Sequence, residues 1–277
     1  MQFTPRSTRL AGAAVAISAL FVLTSCAGAA DDAAPAAGGD DLGTVTVGAL
    51  ATPAGDILSF VQENLAEEAG LTIEFQEFTD YNTPNVAVSD GSIDANLFQN
   101  ATFLDTYNTE TGDDLVSLGE IYLPSAAYYS NTVKSLDDLK DGASIAIPAD
   151  PTNGGRALKI LAAEGLIETT EEPTSVADIT ANPSDYEFKE IDNATLPQAV
   201  QDVDTAFVTI SYALQAGLTA DQAILIEGAD SPYSNVLATT TELEDDPRIV
   251  KLKELLLSEE TQAYMEETWG GLVIPAG

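Results

Sequence analysis

Two stretches of this chain, from Thr44 to Phe78 and from Ser144 to Ile191, follow the same pattern, and that repetition constrains the fold more than any other feature. From Thr44 apolar and polar residues alternate through Val45, Val47 and Ala49, the period of a strand. Thr52-Pro53-Ala54-Gly55 then leads into Ile57, Leu58, Val61 and Leu65, spaced as on a helix, and Leu71 to Phe78 predicts a second strand. The later stretch repeats this order. A strand at Ser144 to Pro148 is followed by the turn Asp150-Pro151-Thr152-Asn153-Gly154-Gly155, a helix from about Arg156 to Glu164, and strands at Tyr186 to Ile191 and Thr205 to Thr209. Two βαβ units predict an α/β chain with two largely parallel sheets flanked by helices, each sheet the core of one lobe, and a ligand cleft between the lobes.

Between and after these units the pattern predicts a helix at Pro84 to Ser89, a turn at Gly91 and a short strand around Ile93 to Ala95, followed by a polar-aromatic stretch to Phe103. Strands are expected at Leu115 to Leu118, Tyr122 to Tyr129, Ala223 to Glu227 and Asn235 to Thr240. Short helices are expected at Ser135 to Leu139, Leu196 to Val200 and Ser211 to Ala216, with one long amphipathic helix from about Pro247 to Thr268. Crossings between the lobes are placed near Ser130 and near Asn235. The resulting division is 44–130 for the first part of lobe 1, 131–235 for lobe 2 and 236–277 for the return to lobe 1.

The N-terminus carries a different message. Arg6 and Arg9 precede an apolar run from Leu10 to Leu23, the layout of a secretory leader over residues 1–25. Leu23-Thr24-Ser25-Cys26 fits the pattern after which the cysteine becomes N-terminal and lipid-modified. Residues 26–43, rich in Ala, Gly, Asp and Pro, read as a flexible tether. The expected location is the extracytoplasmic face of the cell membrane, with Cys26 as the lipid anchor. Cys26 is the only cysteine, so the folded part has neither a disulfide nor a thiol for catalysis.

The chain holds 10 basic and 45 acidic residues, for a formal net charge of −35, which excludes nucleic acid as a partner. It has no histidine at all, which removes Ser-His-Asp and Cys-His arrangements and the commonest zinc ligand. Acidic pairs such as Asp113-Asp114 and Asp137-Asp138 are what chance gives at this acid content, and Gly154-Gly155 lacks the spacing of a dinucleotide or P-loop motif. No enzyme, metal or cofactor is expected. The rival is a carboxylate-using hydrolase, which turnover by the purified protein would reveal.

Arg156 is the most informative residue. Beyond the leader the only other arginine is Arg248, and no basic residue occurs between Arg9 and Lys134. At a helix start, after Thr152, Asn153 and two glycines, an arginine can grip a carboxylate through two nitrogens, assisted by free backbone N–H groups. The alternative is a surface arginine pairing with one of the many neighbouring acids. Tyr81, Phe98 and Phe103 would supply an apolar wall to such a site, or else pack in a core.

Four motifs in order, Asp80-Tyr81-Asn82-Thr83-Pro84-Asn85, Asp90 to Gln99 (DGSIDANLFQ), Pro148 to Arg156 (PADPTNGGR) and Ser231 to Asn235 (SPYSN), closely resemble the NlpA-type, methionine-binding lipoproteins of ABC importers. The resemblance runs from about Thr44 to the C-terminus. It implies a two-lobe, periplasmic-binding-protein-like fold that closes over methionine and delivers it to a permease driven by an ATPase, acting as a monomer. It further implies that Arg156 holds the ligand carboxylate and Asn235 its amino group, while Tyr81, Phe98, Asn100 and Phe103 line the side-chain pocket. Three positions depart from the family pattern: Asn100 stands where histidine is usual, Phe103 where tyrosine is, and Thr209 where an asparagine is. These leave open another apolar amino acid, a D-enantiomer, a short peptide, or a surface lipoprotein serving sensing or adhesion.

Overall fold

The computed structural model describes residues 41–276; the leader, Cys26 and the tether up to residue 40 lie outside the described residues. Strand β1 (Gly43–Leu50) buries Val45, Val47 and Ala49 completely, as their alternation predicts. It leads through Thr52, whose backbone is extended, into a helical stretch over 53–66, in which the regular turns of α1 (Asp56–Val61) are flanked by wider π-type turns. β2 (Leu71–Phe78), α2 (Thr83–Ser89) and β3 (Ala95–Asn100) follow, then α3 (Ala101–Thr111), β4 (Val116–Pro124) and β5 (Ala127–Tyr129). The second unit comprises β6 (Ser144–Pro148), α4 (Pro151–Ala163), the small hairpin of β7 (Glu168–Thr169) and β8 (Ile179–Ala181), and β9 (Glu187–Ile191). After α5 (Leu196–Ala199), β10 (Thr205–Val208), α6 (Ile210–Gln215) and β11 (Ala223–Ile226), the chain ends in β12 (Asn235–Thr239), α7 (Pro247–Leu256), α8 (Glu259–Trp269) and β13 (Val273–Pro275).

The strands form two main sheets, ordered β13-β4-β12-β3-β1-β2 and β11-β5-β10-β6-β9. Each contains one parallel trio, β2-β1-β3 or β9-β6-β10, beyond which the pairing is antiparallel. The sheets are therefore mixed, whereas the βαβ pattern alone predicts largely parallel ones. The strands beyond the trios, β12 and β5, arrive from the other sheet. They need no right-handed helical crossover to pair, and an antiparallel approach is open to them.

The chain passes between the sheets twice, at Ser125-Ala126 and over 227–234. The first passage falls inside the stretch Tyr122 to Tyr129 that reads as one strand; Tyr122 belongs to β4 in the first sheet and Tyr129 to β5 in the second, so the passage lies before the expected Ser130. Asn235, placed at the end of lobe 2 by its sequence, is the first residue of β12 in the first sheet. The expected long C-terminal helix is two helices, because Ser258 accepts the Thr261 N–H at 3.3 Å and starts α8 afresh.

One apolar core lies between the first sheet and α1, α7 and α8, around Val47, Ile57, Leu237 and Leu252; another surrounds Tyr128, Ile145, Leu158 and Phe207 in the second unit. A third cluster joins the two, with Leu50 and Phe98 from the first sheet packed among Ala127, Tyr129, Ala146 and Val208 from the second. Among the described residues no helix is long and apolar enough to cross a membrane.

Candidate functional site

The seven residues singled out in the sequence, Tyr81, Phe98, Asn100, Phe103, Arg156, Thr209 and Asn235, all line one cavity between the two sheets. They come from the ends of elements: Tyr81 from the turn after β2, Phe98 and Asn100 from the C-terminal end of β3, Phe103 from the first turn of α3. From across the cleft come Arg156 on α4 and Thr209 just after β10, while Asn235 opens β12. Strand ends next to a change in strand direction are where α/β sheets leave room for a ligand.

Three aromatic rings form one wall. Tyr81 lies 5.7 Å from Phe98 and 6.1 Å from Phe103 between ring centres, and the two phenylalanines meet edge to face at 5.8 Å. Tyr81 also reaches the second sheet's side, with its ring 4.9 Å from that of Tyr212 and its hydroxyl 2.9 Å from Thr209 Oγ1. Burial raises the pKa of the Tyr81 hydroxyl above its ordinary value, so it stays protonated and able to share that hydrogen bond. Thr209 is thus held by a residue from across the cleft.

The polar residues of β3 are held from behind. Asn85, Asn96 and Gln99, all buried, bond one another: Asn85 Nδ2 donates to Gln99 Oε1 at 2.8 Å and Asn96 Nδ2 to Asn85 Oδ1 at 2.9 Å, while Gln99 Nε2 donates to Asn96 Oδ1 at 3.0 Å. A satisfied amide network of this kind fixes a single arrangement of the strand. Asn100 has a structural task as well, since its Oδ1 caps α3 by accepting the Phe103 N–H at 3.0 Å.

Asn235 is aimed by a residue that sequence reasoning missed. Its Nδ2 donates to the hydroxyl of Tyr122, fully buried in the neighbouring strand β4, at 3.1 Å. With the donor end tied down, the carbonyl end of the amide is left to accept, and this suits an ammonium group.

Arg156 departs from expectation in two ways. Helix α4 starts at Pro151, capped by Asp150, which accepts the Asn153 N–H at 2.8 Å, so Arg156 lies in the second turn and not at the helix start. Its two-nitrogen partner is also part of the protein. Nε donates to Glu227 Oε1 at 2.9 Å, Nη2 donates to Glu227 Oε2 and also to the carbonyl of Pro124 at 3.0 Å, and the guanidinium lies 4.7 Å from the centre of the Tyr233 ring. Arg156 thus faces the cavity and is paired with an acid, and it is buried where the alternative reading placed it on the surface. Glu227 lies 71 residues away in sequence, and no local pattern could have pointed to it.

The free volume enclosed by these side chains is about 20 Å³, on the scale of one water molecule. Among the described residues no group of three or more acidic, histidine or cysteine side chains is placed to hold a metal.

Comparison with known proteins places this geometry in context. The model of the NlpA lipoprotein family matches residues 45–277. A probable D-methionine-binding lipoprotein MetQ of Haemophilus influenzae is 34% identical over 260 residues, covering 92% of this chain and 93% of that protein. The D-methionine-binding lipoprotein MetQ of Escherichia coli K12 is 34% identical over 82% of this chain and 86% of its own. A nutrient-binding protein from Burkholderia cenocepacia, solved bound to methionine, superposes with a TM-score of 0.81 at 34% identity, covering 84% of this chain and all of that one. Since the match runs through both sheets and both passages between them, the chain belongs to the NlpA lipoprotein family.

Proposed function

We propose that this protein is the substrate-binding lipoprotein of an ABC importer, held to the extracytoplasmic face of the membrane through Cys26, and that its cleft takes methionine or an amino acid of similar shape. It is a carrier and not an enzyme. The observation that carries this reading is the convergence of one cation, one aimed amide carbonyl and three aromatic rings on a single buried cavity. An arginine for a carboxylate, an amide oxygen for an ammonium and an apolar wall for a side chain are together the complement of an α-amino acid. In this reading Arg156 takes the carboxylate, Asn235 the amino group, and Tyr81, Phe98, Asn100 and Phe103 the side chain, with Thr209 at the amino end. The relatives named for methionine support the same choice.

With free volume of about 20 Å³ the cavity is narrow for an amino acid, and in this reading the sheets part to admit the ligand. In this reading the two passages, at Ser125-Ala126 and over 227–234, are the points about which residues 43–124 with 235–275 would swing against residues 127–226. Ligand binding then shifts the population toward the closed form that a permease recognises.

Thermal unfolding of the full chain in detergent, scanned against L- and D-methionine, other apolar amino acids and methionine-containing dipeptides, tests this. A ligand at about a hundred times its Kd adds about 2.7 kcal/mol of stability. Stabilisation by methionine is the expected result; stabilisation by another amino acid or a dipeptide keeps the role and changes the cargo. If none of them stabilises, the transport reading gives way to a surface lipoprotein that serves sensing or adhesion.

The aiming of Asn235 gives a narrower expectation. Tyr122→Phe leaves the ring and removes the hydroxyl that holds the amide, so methionine affinity should fall about fivefold, the worth of about 1 kcal/mol for one hydrogen bond. Calorimetric titration reads the change, and an unaltered Kd removes Tyr122 from the site.

A further inference from the structure

The cavity wall carries one charged side chain, Arg156, and the protein supplies its counter-charge from outside that wall. Both groups are buried, at 2% and 7% side-chain exposure. Glu227 covers the Nε/Nη2 edge of the guanidinium, and the remaining hydrogen of Nη2 goes to Pro124 O. Only Nη1 is left without a partner among the described residues. The carboxylate is itself held by the two passages between the sheets. Its Oε2 accepts from Ala126 N at 3.3 Å in the first passage, its Oε1 accepts from Ser231 Oγ at 2.9 Å in the second, and its own backbone N–H donates to Ala126 O at 2.9 Å.

We infer that Glu227 is a specificity-determining residue: by cancelling the single charge on the cavity wall and leaving one guanidinium nitrogen to the ligand, it makes the cleft select a solute of zero net charge. A zwitterion fits a neutral pair, because its carboxylate meets Nη1 and its ammonium meets the Asn235 carbonyl. A solute with a carboxylate alone brings an uncompensated negative charge next to Glu227, and a solute with an ammonium alone brings a positive one next to Arg156. In a shielded site either imbalance is felt strongly at a separation of a few ångströms. The inference rests on the amino-acid reading of the cleft proposed above and adds the residue that sets the charge of its cargo.

The test titrates the full chain in detergent with methionine, with its deaminated analogue (methylthio)butanoate and with its decarboxylated analogue (methylthio)propylamine. Wild type should bind methionine more tightly than either analogue. Glu227→Gln keeps the size of the side chain and leaves Arg156 uncompensated, so the ratio of the two analogue affinities should shift toward the carboxylate by at least about tenfold. A structural role alone would weaken both analogues alike, and that result overturns the inference. Should Glu227→Gln fail to fold, wild type itself decides: a charge-neutral pair on the wall should leave the two analogue affinities within about tenfold of each other, and a carboxylate analogue bound about a hundredfold more tightly than the amine, as an uncompensated guanidinium would bind it, overturns the inference equally. If wild type binds neither methionine nor the analogues, the amino-acid reading itself is at fault and takes this inference with it, whereas methionine binding with an unmoved analogue ratio sinks Glu227 alone.

Discussion

Replacing Arg156 with methionine is expected to destabilise the protein by about 3–5 kcal/mol and to abolish methionine binding, and the two losses have different causes. The stability loss comes from Glu227. With its partner gone, a carboxylate at 7% exposure is left among Tyr233, Ser231 and the backbone of the first passage, and an unpaired buried charge is among the costliest defects a fold can carry. The binding loss comes from the missing nitrogen at the cavity wall. A second substitution separates them. In Arg156→Met/Glu227→Met both charges are gone and apolar groups of similar volume fill the space, an exchange that is often neutral or stabilising. Urea unfolding of the double variant should therefore return most of the lost stability, while calorimetry should still find no methionine binding. A double variant as unstable as the single one would show that the ion pair is not the source of the cost. A single variant that keeps its affinity would remove Arg156 from the ligand.

The same pair marks a limit of what sequence can disclose. Arg156 stood out because cations are scarce in this chain, and scarcity is visible without a structure. Its partner did not stand out, because Glu227 is one of 45 acidic residues and only the topology brings it to α4. The parallel trios of both sheets could be read for a related reason: their signal, apolar alternation followed by a helical period, is local. The antiparallel halves were not legible, since β5 and β12 owe their direction to the sheet they arrive from. The polar residues of β3 concealed a strand that is buried throughout, because Asn85, Asn96 and Gln99 satisfy one another in three dimensions and so escape the rule that amides belong outside. Helix α3 was missed next to it, although Asn100 at its cap and Gly112 in the left-handed conformation at its end, with φ of 81°, are ordinary helix boundary residues. The seven ligand candidates nevertheless line one cavity: Tyr81, Phe98, Phe103 and Arg156 stand out by residue type, whereas Asn100, Thr209 and Asn235 follow only from the resemblance to the NlpA-type family.

Gly155→Ala should destabilise the protein by about 2 kcal/mol, although alanine is the better helix former. Position 155 is the fifth residue of α4 and its backbone is ordinary right-handed helix, so the requirement for glycine is not conformational. It is spatial. A Cβ at 155 would lie 2.0 Å from the carbonyl oxygen of Pro173 and 3.1 Å from its carbon, and one at 154 would lie 2.7 Å from the carbonyl oxygen of Pro148. The obstacle is backbone, which cannot swing aside as the end of a flexible side chain can. Overpacking of this sort costs about 1–3 kcal/mol, and an approach this close belongs at the upper end. Against it stands about 1 kcal/mol of helix propensity gained on replacing glycine by alanine, which leaves a net loss of about 2 kcal/mol. The two glycines therefore let α4 lie against the strand end at Pro148 and the loop at Pro173, and that seat sets where Arg156, one residue further on, meets Glu227 and the cavity. Methionine affinity should fall together with stability in Gly155→Ala, because relieving the clash moves the helix that carries the cation. Urea unfolding gives the sign directly: a variant more stable than wild type by about 1 kcal/mol would mean that propensity rules at this position and that the helix does not depend on close approach.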